Sequence, residues 1–147
     1  MVISKDNETK EVILQQLIQK DGVYYERNEN KPFTGIAFQP RLQDNPFDLS
    51  EKIAEKAFLD GKLHGLSTWF SRNGEKKLQM QFKKGKLHGQ CEQFIQDGNQ
   101  KIVKKQRFKN GALNGVCEWH KPDGCLIKRE TYANGLRHGP RIDYYNR

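Results

Sequence analysis

The sequence predicts a mainly β fold, an elongated antiparallel meander of β-hairpin repeats opened by a short N-terminal helix. Three observations carry this. The octet FLDGKLHG (58–65) returns as FKKGKLHG (82–89), FKNGALNG (108–115) and YANGLRHG (132–139), at intervals of 24, 26 and 24 residues. Eleven of the thirteen glycines fall on that frame. Only 35% of the residues are hydrophobic, too few for a thick core, yet eight Phe, five Tyr and two Trp are spread along the chain, and disordered segments are poor in such residues.

A period of this length marks one small supersecondary unit that buries its apolar face only by stacking on its neighbours. Glycines this dense exclude helical repeats, because each one inside a helix costs about 1 kcal/mol relative to Ala. RNG (72–74), QDG (96–98) and PDG (122–124) separate strand-length stretches and read as tight hairpin turns. The octets, with glycines four apart, read as longer turns needing two positions free of a Cβ penalty. The repeats are then 58–81, 82–107, 108–131 and 132–147. The even periods leave every aromatic on its original side of the sheet, because side chains alternate along a strand.

The first fifty-seven residues are less regular. In ETKEVILQQLIQK (8–20), Ile13, Leu14, Leu17 and Ile18 share one helical face and Gly22 follows as a stop, so 1–20 is expected to be a helical cap. Residues 21–57 form a divergent first hairpin unit. Its loop, 39–50, is longer than a hairpin needs and is a candidate contact element.

If 72–74 is a three-residue loop with Ser71 opposite Glu75, then Leu66, Thr68, Phe70, Lys76, Leu78, Met80 and Phe82 share a core face. Ser67, Trp69, Lys77, Gln79 and Gln81 share the other. Counting on, Phe94, Ile102, Phe108, Val116, Leu126, Tyr132, Ile142 and Tyr144 continue the core face. The second face gathers Trp69, Lys77, Lys101, Lys105, Arg107, Trp119, Lys121 and Arg129. Tryptophan and arginine dominate binding hot spots, so these eight residues are the expected partner-binding surface.

Charge supports a binding role. Net charge is +8: residues 1–50 hold six basic and eight acidic side chains, residues 51–147 twenty and ten. The basic part favours an acidic protein surface, nucleic acid or anionic lipid. No stretch is apolar and long enough to span a bilayer, and MVISKDNETKEV has no secretory pattern. With three cysteines in no zinc-type spacing, a reducing cytoplasm is the expected location.

Catalysis and cofactors are not expected. His64, His88 and His138 share one repeat position, but equivalent turns lie about 10 Å apart, too far to converge on one metal ion. They are expected to satisfy backbone groups in the turns. Cys91 and Cys117 occupy a repeat position that supplies no base, and the glycines precede strands rather than a phosphate-binding helix.

The cadence F-x-x-G-x-x-x-G with a later G resembles the MORN repeat, and more closely its bacterial variant. DGVYYERNENKPFTG (21–35) is similar to the segment that opens such variants, with Gly35 in the place of Gly65. Asn114 departs from the pattern where its counterparts are histidine. The resemblance implies stacked β-hairpins and an antitoxin or immunity protein that binds a cognate toxin domain, here one with an acidic surface. It also allows a module for membrane lipid, for nucleic acid, or for scaffolding.

Overall fold

A computed structural model describes residues 9–42 and 47–144. Of the expected loop at 39–50, residues 43–46 lie outside the described residues, as do 1–8 of the expected cap and 145–147 of the last repeat. Among the described residues one twelve-stranded sheet carries the fold, with a two-stranded hairpin beside its N-terminal end.

That end departs from expectation. Residues 11–20 form no α-helix: β1 (Glu11–Ile13) is followed by a single 3-10 turn, Leu14–Gln16, and then β2 (Leu17–Lys20). β1 adds in parallel to the outer edge of β4 (Gly35–Pro40), with Val12 opposite Ala37, and β2 pairs antiparallel with β3 (Val23–Glu26). An open sheet edge offers backbone partners that a helix would leave unused, and the β-branched Val12, Ile13 and Ile18 suit it. Val12 and Leu17 then join Phe33, Ala37 and Phe58 in the buried core cluster, with Leu14, Tyr24 and Leu63 packed against it.

The meander runs through β4, β5 (Lys52–Leu59), β6 (Lys62–Phe70), β7 (Lys76–Lys83), β8 (Lys86–Asp97) and β9 (Gln100–Lys109). It continues through β11 (Gly115–His120) and β12 (Leu126–Ala133). The short strands β10 (Ala112–Leu113), β13 (Leu136–Arg137) and β14 (Ile142–Asp143) pair locally with β9, β12 and β12. Past Leu63 the main packing partners of each strand are its two sheet neighbours, so the repeats form a single layer.

The octets, expected to be the longer turns, differ from the sequence reading. The octets hold the tightest turns: Leu59 pairs with Lys62 around Asp60 (φ 49°) and Gly61 (φ 78°), and Lys84–Gly85 and Asn110–Gly111 repeat that conformation. Positive φ at both central residues is the type I′ hairpin, whose twist matches that of the strands. RNG and PDG are three-residue loops. Ser71 N–H donates to Glu75 O at 2.8 Å and Lys121 N–H to Cys125 O at 2.9 Å, as the expected 72–74 loop requires.

Each three-residue loop is followed by a bulge that the sequence reading lacks. Phe70 pairs with Lys76 but Trp69 with Leu78, leaving Lys77 as the extra residue. His120 pairs with Leu126 but Trp119 with Lys128. In the 26-residue repeat Asp97 pairs with Gln100 across a two-residue turn, and the register runs unbroken to Gly89 opposite Phe108. An odd loop plus one bulged residue has the parity of an even loop, so all three hairpins keep the same residues on the same face.

The bulge also reassigns the faces. Ser67, Trp69, Leu78, Met80 and Phe82 lie together, with Ile102, Phe108 and Tyr132 further along. Leu66, Thr68, Gln79, Phe94, Val116, Leu126 and Ile142 lie on the reverse. The tryptophan face is therefore also the core face. Ala37, Ala54, Phe58, Ser67, Cys91, Cys117 and Glu130, all buried, project from it.

Candidate protein-interaction face

Successive repeats are clamped at their turns. Lys84 N–H donates to His64 Nδ1 at 3.2 Å and Asn110 N–H to His88 Nδ1 at 3.3 Å, the expected turn role of these histidines. Asp60 N–H donates to Thr34 Oγ1 at 2.9 Å in the divergent first unit. The neighbouring glycine N–H of each turn goes to a backbone carbonyl one hairpin back: Gly61 to Phe33, Gly85 to Leu63, Gly111 to Leu87 and Gly135 to Leu113, at 2.7–2.8 Å. Both donors that a type I′ turn exposes are thus satisfied by the preceding octet, which fixes one hairpin on the next.

The result is three repeats on the frame FxxGxxxG with a later Gly, starting at Phe58, Phe82 and Phe108, each tied to the next by the same turn-to-turn clamp. Residues 81–100 and 107–126 match the MORN repeat. No curated protein and no solved structure matches the chain. The two matches take in Phe82 to Gly98 and Phe108 to Gly124. The cross-strand register decides how a face is composed, because it sets which side chains stand opposite one another on adjacent strands.

One row crosses the sheet as Gln39, Ala54, Trp69, Leu78, Gln93, Lys104, Trp119, Lys128 and Asp143. Trp69 and Trp119 share this face, as expected, about 19 Å apart at four strand spacings. Both are half-buried. Lys56 Nζ lies 5.6 Å from the Trp69 ring centroid, and Lys104 and Lys128 lie 5.1 and 4.2 Å from that of Trp119. The ring quadrupole attracts each ammonium, and the lysine stems cover the indoles.

The other expected site residues are not gathered with the tryptophans. Lys101, Lys105, Arg107 and Arg129 project from the reverse face, Lys77 is the bulged residue, and Lys121 stands at the base of the 122–124 loop. On the reverse face the row Glu92, Lys105, Glu118, Arg129 alternates in sign across four strands. Arg129 reaches Glu118 at 3.6 Å and His120 Nε2 lies 2.9 Å from it. Lys101 lies 3.7 Å from Glu75. Lys101 and Arg129 thus answer acids of the sheet itself, and the expected single cationic surface is divided between two faces.

Lys56, Lys104 and Lys128 are the site residues that sequence reasoning missed. For Lys128 the signal is the three-residue loop 122–124, which in hairpins brings a bulge with it and moves every downstream residue to the other face. Lys56 and Lys104 come beside their tryptophans through the strand register across the octets. Among the described residues neither Lys56 nor Lys104 has a carboxylate partner. Lys128 pairs with Glu130 at 3.0 Å. Glu130 is buried, accepts from Tyr132 Oη at 2.7 Å and lies 3.8 Å from Arg141. The Tyr132 hydrogen bond, with Lys128 and Arg141, holds its carboxyl below the usual range, and the same bond pushes the Tyr132 hydroxyl up.

The remaining chemistry is quiet. Burial pushes the Cys91 and Cys117 thiols up, which suppresses the nucleophilic thiolate. Among the described residues no three His, Cys, Asp or Glu side chains converge as metal ligands, and no helix is long and apolar enough to cross a membrane. A groove at the hairpin tips is lined by Arg41, Lys52, Arg72 and Ser71. Arg41 already donates to Ser71 O at 3.1 Å and Lys52 pairs with Glu55 at 2.8 Å, so it is a seam between loops.

Proposed function

We propose that this chain is an immunity protein, a binding module without chemistry of its own, that neutralises a cognate bacterial toxin domain in the cytoplasm. It covers an acidic surface at or beside the toxin's active site with the tryptophan face of the sheet. One observation carries the reading: among the described residues Lys56 and Lys104 lie over indole rings with no carboxylate partner, whereas on the reverse face Lys101 and Arg129 pair with Glu75 and Glu118 and Lys105 stands between Glu92 and Glu118 in the register. A partner bearing carboxylates gains from the first pair and finds much of the second set already facing acids. The resemblance of residues 21–35 and of the repeats to the bacterial MORN variant supplies the toxin as the partner class.

Co-expression with a toxin domain encoded beside this chain tests the reading. Rescue of growth and co-purification of the two chains are expected; toxicity that persists with this chain present and folded would end it. The second reading, binding to anionic membrane, draws on the excess of cations in residues 51–147. The division of those cations between two faces weakens it, since a planar bilayer meets one face at a time. Flotation with phosphatidylserine vesicles separates the two.

A further inference from the structure

The geometry points to Lys104, Trp119 and Lys128 as a carboxylate-recognition subsite for an Asp- or Glu-bearing segment of a partner protein. This rests on the binding face proposed above and adds where on it the partner's acid sits. The cross-strand register 104 to 119 to 128 places the two lysines on either side of one indole. Their ammonium groups lie 5.1 and 4.2 Å from the same ring centroid, and so no more than about 9 Å from each other. Two like charges are held close with only one of them paired. Glu130, the acid of Lys128, is itself held by Tyr132 and neighboured by Arg141. Nothing among the described residues answers Lys104.

A carboxylate arriving over the edge of Trp119 meets Lys104 directly and draws Lys128 from an acid that keeps a hydrogen bond without it. The stem-covered, half-buried indole then contributes a rigid floor to the contact. A lipid headgroup fits less well. The half-buried indole presents little free apolar surface, and the subsite offers two charges where polybasic lipid binders gather several.

The probe is a fluorescein-labelled Glu-Ser-Glu-Ser-Glu peptide, titrated by anisotropy at physiological ionic strength against the full chain. Lys104→Gln and Trp119→Leu, each checked for native circular dichroism, are expected to weaken binding about tenfold, the loss of one charge-assisted contact. Lys105→Gln and Arg107→Gln on the reverse face are expected to change it less than about twofold. Absent binding, an unaffected Lys104→Gln, or equal losses from both faces overturns the subsite, the last showing attraction to net charge alone. Phosphatidylserine vesicles that bind with the same Lys104 dependence overturn its assignment to protein acids. Peptide binding through Lys104 with no toxin neutralised leaves the subsite standing and removes the immunity reading; neutralisation indifferent to Lys104→Gln does the reverse.

Discussion

Asn114 Oδ1 accepts the backbone N–H of Asn134 at 3.3 Å, twenty residues ahead, the bond that His64 Nδ1 makes with Lys84. The one octet that departs from histidine therefore keeps the function of the position. An amide oxygen and an imidazole nitrogen are interchangeable there because both are short-reach acceptors facing a turn N–H.

Asn114→His is accordingly expected to leave stability within about 0.5 kcal/mol. Asn114→Ala and His88→Ala should each cost roughly 0.5–1.5 kcal/mol, the net worth of a hydrogen bond to a turn N–H. Urea denaturation followed by tryptophan fluorescence measures all three. A histidine variant as damaging as the alanine variant would show that the bond is not what holds the position.

Gly61→Ala and Gly111→Ala separate the first turn from its copies. Both residues have strongly positive φ, 78° and 89°. A Cβ on Gly61 would also run into the Val23 side chain and lie 2.8 Å from Tyr24 O, where β3 docks, whereas Gly111 opens on empty space. The Gly111 variant should lose about 1–2 kcal/mol from backbone strain alone. The Gly61 variant should lose more than twice that and free the N-terminal hairpin, which amide hydrogen exchange at Tyr24 and Phe33 would register.

Deleting Lys77 should leave the faces as they are. Lys76 would still meet Phe70 and Leu78 would still meet Trp69, with no unpaired residue between them, so Leu78, Met80 and Phe82 stay on the tryptophan face. The deletion is expected to cost about 1–2 kcal/mol through the changed local twist. Lys77→Ala, on an exposed position, should cost under about 0.5 kcal/mol. A loss on deletion well above about 3 kcal/mol, the burial of two such side chains, would mean that Lys77 is a paired residue and would refute the bulge.

Stability should fall with acid through Glu130. Its folded pKa lies below its unfolded value, so the folded state binds that proton less tightly. The contribution is present above the usual carboxylate range and is lost as pH falls through the folded pKa. Glu130→Gln is expected to flatten the decline of urea midpoint below about pH 4.5. A decline of unchanged steepness would assign it to other acids.

Thiol labelling tests burial directly. Cys125 is exposed and should react with a maleimide in the native chain, while Cys91 and Cys117, buried on the tryptophan face, should react only on unfolding. Rapid native labelling of all three would mean that the single layer does not cover its own inner row.

The helix expected over residues 8–20 shows where local pattern stops being informative. Ile13, Leu14, Leu17 and Ile18 fit a helical stripe, but Val12 and Leu17 find burial across a 3-10 turn because the β4 edge and Phe58 are present. No window of those residues contains that edge. The candidate site shows the same limit: Trp69 and Trp119 were readable as sharing one face, yet an uncounted bulged residue after the 122–124 loop set Lys128 rather than Arg129 on the side of Trp119, and the register across the 108–115 octet set Lys104 rather than Lys105 there.

By itself the sequence determined the repeat, its hairpins, the turn role of its histidines and the shared side of its two tryptophans, because glycine placement and even spacing are local, additive properties of the chain. The tertiary structure decided which turn is tight, which strand ends bulge, what the N-terminal residues become and which lysines meet the indoles. Those depend on cross-strand register, where a single extra residue inverts every side chain after it.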